Sequence, residues 1–308
     1  MKIYEYDKTL PLNVETIDLG CYLLVSFDAV YDPAIPQSKR VYVYVYKAKK
    51  AWMNLIFLHG IGNGNIPYLL WFAEYFKLHG INTFFMVLPY HERRGMHGWK
   101  GGEPFFSPSP SYCINRFHET VKDVRRTIDY IDSISDLHTS IMGFSFGGMI
   151  AVMSLALDKR LKKGVLAFTG GDWRWINWHS PYTEELRKNY RLNGNEYGCR
   201  DENDCLKNRD AMKNLKKPDS LDDIFLLSPK CFHYDPCLYG MFVNQEILFF
   251  RGIFDRIIPL RSSEALFKSL PKVKKIVLPC GHRSSYFFRK FIANRVIKFL
   301  KNTPNPLI

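Results

Sequence analysis

Residues 139–157 read TSIMGFSFGGMIAVMSLAL. A short apolar run, TSIMG, meets a stretch with apolar residues at helical spacing, and the junction is Gly143-Phe144-Ser145-Phe146-Gly147. The pattern predicts a buried strand, a sharp turn and a helix, with the serine at the apex. A serine so placed takes a strained backbone conformation that lifts its hydroxyl above the sheet. The residues two before and two after must be small, so that strand and helix can approach. Gly143 and Gly147 meet that need, and Gly148 helps. The context marks Ser145 as a candidate nucleophile.

Working outward, five more short apolar runs share the texture of TSIMG: NLIFL (54–58), TFFMVL (83–88), GVLAFT (164–169), EILFFR (246–251) and KKIVLP (274–279). Helix-like stretches lie among them, including YLLWFAEYFKLHG, INRFHETVKDVRRTIDYID and the closing SYFFRKFIANRVIKFLK. Short continuous runs alternating with amphipathic segments predict parallel strands covered by helices on both faces. Before them, residues 19–27 and 40–47 read as an antiparallel edge hairpin. Val41, Val43 and Val45 alternate there with Tyr42, Tyr44 and Tyr46. The expected class is α/β, with a mostly parallel sheet and N-terminal antiparallel strands.

The interval from GVLAFT to EILFFR exceeds one crossover helix. Residues 172–238, rich in Trp, Asn, Asp and Lys, are therefore expected to form a cap over the carboxyl edge of the sheet. A disordered loop is the alternative. Residues 1–171 and 239–308 make the core.

Three further elements fall at predicted strand ends. NLIFL runs into His59-Gly60-Ile61-Gly62, whose backbone amides are open towards the serine. An oxyanion hole is expected from the N–H of Phe146 and one from the Gly60–Ile61 loop, Ile61 foremost. Asp255 follows EILFFR in FFRGIFDRIIP, and His282 follows KKIVLP in VLPCGHRSSYF. Ser145, Asp255 and His282 come in the chain order nucleophile, acid, base. Asp172, in TGGDWRW, is a second candidate for the acid. His91, Arg93 and Arg94, in PYHERRGMHGW, are candidates for substrate contact, because arginine grips a carboxylate or phosphate with two parallel bonds. Phe144 and Trp173 would give the site an apolar wall, with packing as their other reading.

The motifs NLIFLHGIG, MGFSFGG, RGIFDRIIP and LPCGH resemble those of the α/β-hydrolase superfamily, over roughly residues 40–300. The resemblance is to the carboxylesterase and dienelactone-hydrolase-like branch, whose members often carry a cap. It implies Ser145 as nucleophile, His282 as base, Asp255 as acid, a small-molecule acyl substrate and no cofactor or metal. A carboxylesterase is the activity implied. A peptidase or thioesterase would use the same residues, and a non-catalytic binding protein on this fold is the alternative from outside enzymology. The long tryptophan-rich cap and the PYHERRGMHGW segment fit no particular substrate subfamily.

Composition narrows the remaining classes. At 308 residues and 46% hydrophobic, the chain can bury a full core. No apolar run approaches the roughly 20 residues of a membrane span, and the N-terminus has no secretory pattern, so a cytoplasmic protein is expected. The net charge of +13 is spread along the chain without an aromatic-interleaved basic stretch, which argues against nucleic-acid binding. Seven cysteines include the equally spaced pairs Cys199/Cys205 and Cys231/Cys237. Free thiols are expected, with a disulfide or a zinc site as alternatives.

Overall fold

The structure, a computed structural model, describes residues 2–210 and 218–302. The basic stretch Lys213 to Lys217 lies outside them. Among the described residues nine strands form one sheet: β1 (Glu15–Asp18), β2 (Leu23–Asp28), β3 (Arg40–Tyr46), β4 (Met53–Leu58), β5 (Ile81–Val87), β6 (Thr139–Phe144), β7 (Leu161–Ala167), β8 (Glu246–Gly252) and β9 (Val273–Leu278). Their order is β1-β2-β3-β5-β4-β6-β7-β8-β9. The first four in that order pair antiparallel, and from β5 to β9 every pairing is parallel. All six continuous apolar runs are parallel strands, and the hairpin is β2 with β3. The strand expected from residue 19 starts instead at Leu23, because Leu19 to Tyr22 form the turn from β1.

The helices are α1 (Ile66–Leu78), α2 (Pro110–Ile134), α3 (Phe146–Leu157), α4 (Trp173–His179), α5 (Glu184–Asn193), α6 (Glu202–Asp210), α7 (Pro236–Gly240), α8 (Leu260–Ser269) and α9 (Arg289–Lys301). They cover both faces of the sheet. Leu69, Phe72 and Phe76 of α1 join Ile292 and Val296 of α9 on one face. Val121, Val124 and Ile128 of α2, with Ile150 of α3 and Leu266 of α8, fill the other. Strand β3 shows how one strand serves two cores: Val41, Val43 and Val45 enter the second cluster, whereas Tyr44 and Tyr46 enter the first. Each fully buried side chain of this size stabilises the fold by roughly 1.5–3 kcal/mol.

The sheet margins differ from its centre. Every residue of β1 is exposed, and Lys274 and Lys275 of β9 point to solvent. No helix among the described residues is long and apolar enough to cross a membrane.

The segment between β7 and β8 carries α4 to α7. Part of it belongs to the core, because Ile224, Tyr234 and Tyr239 are buried in the same cluster as α2 and α3. Trp173 and Ile176 of α4 join that cluster too, anchoring the start of the insertion.

Candidate active site

Parallel strands place their carboxyl ends along one edge of the sheet, and the register decides which loops meet there. Leu58 of β4 pairs with Gly143 of β6. The residues beyond that pair, His59 to Gly62 and Phe144 to Phe146, therefore emerge side by side. An added Cβ on Gly60 would sit 3.2 Å from the Ser145 Cβ. The loop backbone thus faces the serine directly.

Ser145 occupies φ 54° and ψ −118°, a conformation that a non-glycine residue holds only when its surroundings force it. Two features do so. Its N–H donates to the Ala167 carbonyl at the end of β7 at 2.8 Å. The elbow is also closed by glycine: a Cβ on Gly143 would overlap the Gly147 backbone, and one on Gly147 would overlap the carbonyls of Leu58 and His59. Phe146 opens α3, and the first N–H groups of a helix have no acceptor within it.

Across the same cavity, His282 Nδ1 lies 2.8 Å from Asp255 Oδ2. A carboxylate only accepts, so Nδ1 carries the proton and Nε2 of the neutral ring is left to accept one. The other Asp255 oxygen accepts from the backbone N–H groups of Ile257 and Ile258, both at 2.9 Å, which fixes the carboxylate plane. The histidine loop is held by Gly281 N–H donating to Ser284 Oγ at 2.8 Å, and by the Ser285 hydroxyl donating to the His282 carbonyl at 2.6 Å. Ser145 and His282 line one open cavity of about 590 Å³, together with Tyr68, Lys100, Arg283 and Tyr286.

Asp172, the other candidate acid, is engaged elsewhere. It caps α4 and pairs with Arg209, and its backbone N–H donates to Asp235 Oδ1 at 2.8 Å. His282 is bonded to Asp255 instead.

The residues put forward for substrate contact separate. Arg94 is fully buried, ion-paired with Asp123 at 2.7 Å and donating to the Val87 and Ser38 carbonyls, so it ties the end of β5 to α2. Arg93 lies over the Tyr42 ring. Phe144 packs between Phe72 and Phe168 in the core. Trp173 alone of the five borders a cavity with Ser145, a small one shared with Phe106, Phe146, Met149 and Ile176. Its indole N–H donates to the Tyr234 carbonyl at 3.2 Å.

His91 is fully buried and braces the loop beside the serine. Its Nδ1 is 2.8 Å from the Pro89 carbonyl, which can only accept, and its Nε2 is 3.1 Å from the Gly62 N–H, which can only donate. The ring is therefore neutral with the proton on Nδ1. Burial lowers its pKa to about 4. His59 does the same from the other side, with Nδ1 donating to the Gly60 carbonyl at 2.6 Å and Nε2 accepting from Leu88 N–H at 3.0 Å. Burial, and then the neighbouring His91, hold its pKa well below the usual imidazole value. Asn63 N–H donates to the Lys100 carbonyl at 2.7 Å, so the segment 99–102 forms a further wall. Gly102, at φ +90°, leaves no room there for a Cβ against Ile61 and His91.

Sequence reasoning missed Lys100, Tyr182, Tyr286 and Arg283 as cavity residues. Arg283 had one signal, its place directly after His282. The seven cysteines are free thiols. Cys205 donates a hydrogen bond that lowers the Cys199 thiol to about 7. Among the described residues no group of three or more His, Cys, Asp or Glu is placed to hold a metal ion.

This sheet order, with a positive-φ serine after β6 and an Asp–His pair after β8 and β9, is the architecture of the α/β-hydrolases, and the chain has that fold. Solved structures agree at low identity. An acetyl xylan esterase from Paenibacillus sp. R4 superposes with TM-score 0.66 at 16% identity, covering 94% of this chain and 89% of that one. A cold-adapted esterase from an Arctic intertidal metagenomic library gives 0.58 at 14%, covering 94% and 98%. The acylaminoacyl peptidase of Pyrococcus horikoshii gives 0.60 at 12%, covering 92% of this chain and 42% of that one. No protein-family model matches the sequence, and neither does any curated protein.

Proposed function

We propose that the chain is a serine hydrolase that cleaves a carboxylic ester through an acyl-enzyme. The observation that carries the reading is Ser145 on its strained elbow, sharing a cavity with a histidine whose far nitrogen is bonded to Asp255. The fold neighbours named as esterases support it.

In this reading His282 Nε2 takes the hydroxyl proton as Ser145 Oγ attacks the ester carbonyl. Asp255 stabilises the imidazolium. The backbone N–H groups of Phe146 and of the Gly60–Ile61 loop, with Ile61 as donor, meet the charge on the tetrahedral oxygen; losing one such donor costs about 2.7–4 kcal/mol. The carbon–oxygen bond to the alcohol then breaks, and His282 returns the proton to the departing oxygen. Water repeats the sequence on the acyl-serine and releases the acid. Within the insertion between β7 and β8, the part that is not buried in the core serves as a cap, and the insertion supplies Trp173 and Tyr182 to the walls. Peptide and thioester cleavage would use the same groups.

The test is intact-mass spectrometry after a fluorophosphonate probe. One adduct is expected on the wild type and none on Ser145→Ala, whose ester turnover should fall by about a millionfold. A folded wild type that takes no adduct and turns over no ester would overturn the reading in favour of a binding protein.

A further inference from the structure

We infer that the substrate is a short-chain acyl ester, of acetyl or propionyl size, whose alcohol part carries a carboxylate or phosphate. The inference rests on the serine-esterase reading and deepens it.

Two cavities meet at Ser145 and share Ile61, Tyr182 and Ile257. The chemistry decides which takes which half of an ester. The departing alcohol oxygen must receive its proton from His282, and His282 borders only the large cavity of about 590 Å³. The alcohol therefore lies there. The acyl group is left with the small cavity of about 40 Å³, walled by Phe106, Phe146, Met149, Trp173 and Ile176. That volume holds on the order of three water-sized groups. The walls are held in place: Phe146 packs on Phe105 and Phe117, and Trp173 on Phe117 and Tyr234. The room between these walls suits a short acyl group better than a long one.

The large cavity has a charge. Lys100 and Arg283 border it, and no Asp or Glu does. Among the described residues neither the Lys100 ammonium nor the Arg283 guanidinium has a hydrogen-bond or ion-pair partner. Glu103, the acid next along the chain from Lys100, is turned to the backbone, accepting from the N–H groups of Lys100 at 2.5 Å and Gly101 at 3.1 Å. Two unpaired cations and the phenols of Tyr182 and Tyr286 suit an anionic group on an otherwise uncharged body, while the Tyr68 hydroxyl already donates to Asn65 Oδ1 at 2.9 Å. A cationic alcohol would meet repulsion from both.

The experiment compares kcat/KM for 4-acetoxybenzoate, 4-acetoxyphenyl phosphate and the neutral methyl 4-acetoxybenzoate, in the wild type and in the Lys100→Ala/Arg283→Ala double variant. Both side chains are exposed and unpaired, so the variant should fold, and circular dichroism checks this. We expect each anionic ester to exceed the neutral one by about tenfold or more in the wild type, and the ratio to fall to about one in the variant. The larger of the two anionic ratios tells carboxylate from phosphate. The octanoyl analogue of the methyl ester should be cleaved at least about a hundredfold more slowly than the acetyl one, with Trp173→Ala narrowing that gap. Equal turnover of neutral and anionic esters overturns the charge assignment. So does a preference that survives in the variant, which would come from the overall charge of the chain. Octanoyl turnover matching acetyl overturns the chain-length assignment. A Ser145 that takes no fluorophosphonate, with no ester cleaved, removes the esterase reading itself.

Discussion

The strand-end loops bearing Ser145, Asp255 and His282 and the insertion between β7 and β8 are held by different forces. In the loops, backbone groups do most of the holding: the Ala167 carbonyl on Ser145, the Ile257 and Ile258 amides on Asp255, and glycine contacts that admit no Cβ. In the insertion, side chains dominate, with Arg209 between Asp172 and Asp235 and the indole of Trp175 between Arg174 and Arg261. Backbone geometry is set by the sheet and changes little with sequence, whereas side-chain pairs can be exchanged one at a time. In the proposed reading, reaction chemistry belongs with the first region, whereas selection among substrates draws on both, since Arg283 stands in a strand-end loop and Trp173 and Tyr182 in the insertion.

The sharpest way to break that contrast is to exchange the two aspartates. Asp255→Asn should lower kcat about ten-thousandfold, because the amide can no longer hold the Nδ1–H tautomer and support the imidazolium. Asp172→Asn should leave kcat within its order of magnitude while loosening the pair with Arg209. Steady-state kinetics on both variants decides it, and a large loss at Asp172 with little at Asp255 would move the acid into the insertion.

Glycines give a second, smaller comparison. Gly147→Ala places a methyl group against the Leu58 and His59 carbonyls, which cannot yield without moving the sheet edge, and should destabilise by about 3 kcal/mol or more. Gly198→Ala in the insertion meets nothing within 4 Å, and only its φ of +74° opposes the change. The expected cost is about 1 kcal/mol. Guanidinium unfolding midpoints measure both, and equal losses would mean the two regions are equally tolerant.

A further comparison concerns acid. His91 is neutral in the fold, with its pKa lowered by burial to about 4 from an ordinary value of 6.5. Its contribution is complete above pH 6.5 and is lost as pH falls from 6.5 towards 4, because the unfolded chain takes up a proton that the fold refuses. The full span corresponds to about 3 kcal/mol. His91→Gln should therefore cost stability at pH 7 and progressively less towards pH 4. Denaturation series at several pH values, with wild type and variant side by side, will show whether the gap closes.

Much of the scaffold was legible because the parallel strands are unbroken apolar runs bounded by Gly or Pro. β1 was not, since ETID is entirely exposed and carries no core face to alternate. The strand-end positions of Ser145, Asp255 and His282 followed from those runs. The roles of His91 and Arg94 could not be read, because a charged side chain in a loop looks solvated until its partner is known. Asp123 is 29 residues from Arg94, on α2. Ile224 and Tyr234 fall within the expected cap yet join the core for a similar reason: short helical turns bury single residues without any periodicity.

The two rims of the sheet bear on how the protein behaves in a crowded solution. An unpaired strand edge is a template on which a neighbouring chain can lay a tenth strand. At one rim that template is the four-residue β1, flanked by the carboxylates of Glu15 and Asp18; at the other, Lys274 and Lys275 stand on β9. A newcomer would have to strip water from those charges and gain only a few backbone bonds in return. Among the described residues, the sheet thus ends at both rims on strands whose charges oppose the addition of a strand from a second molecule.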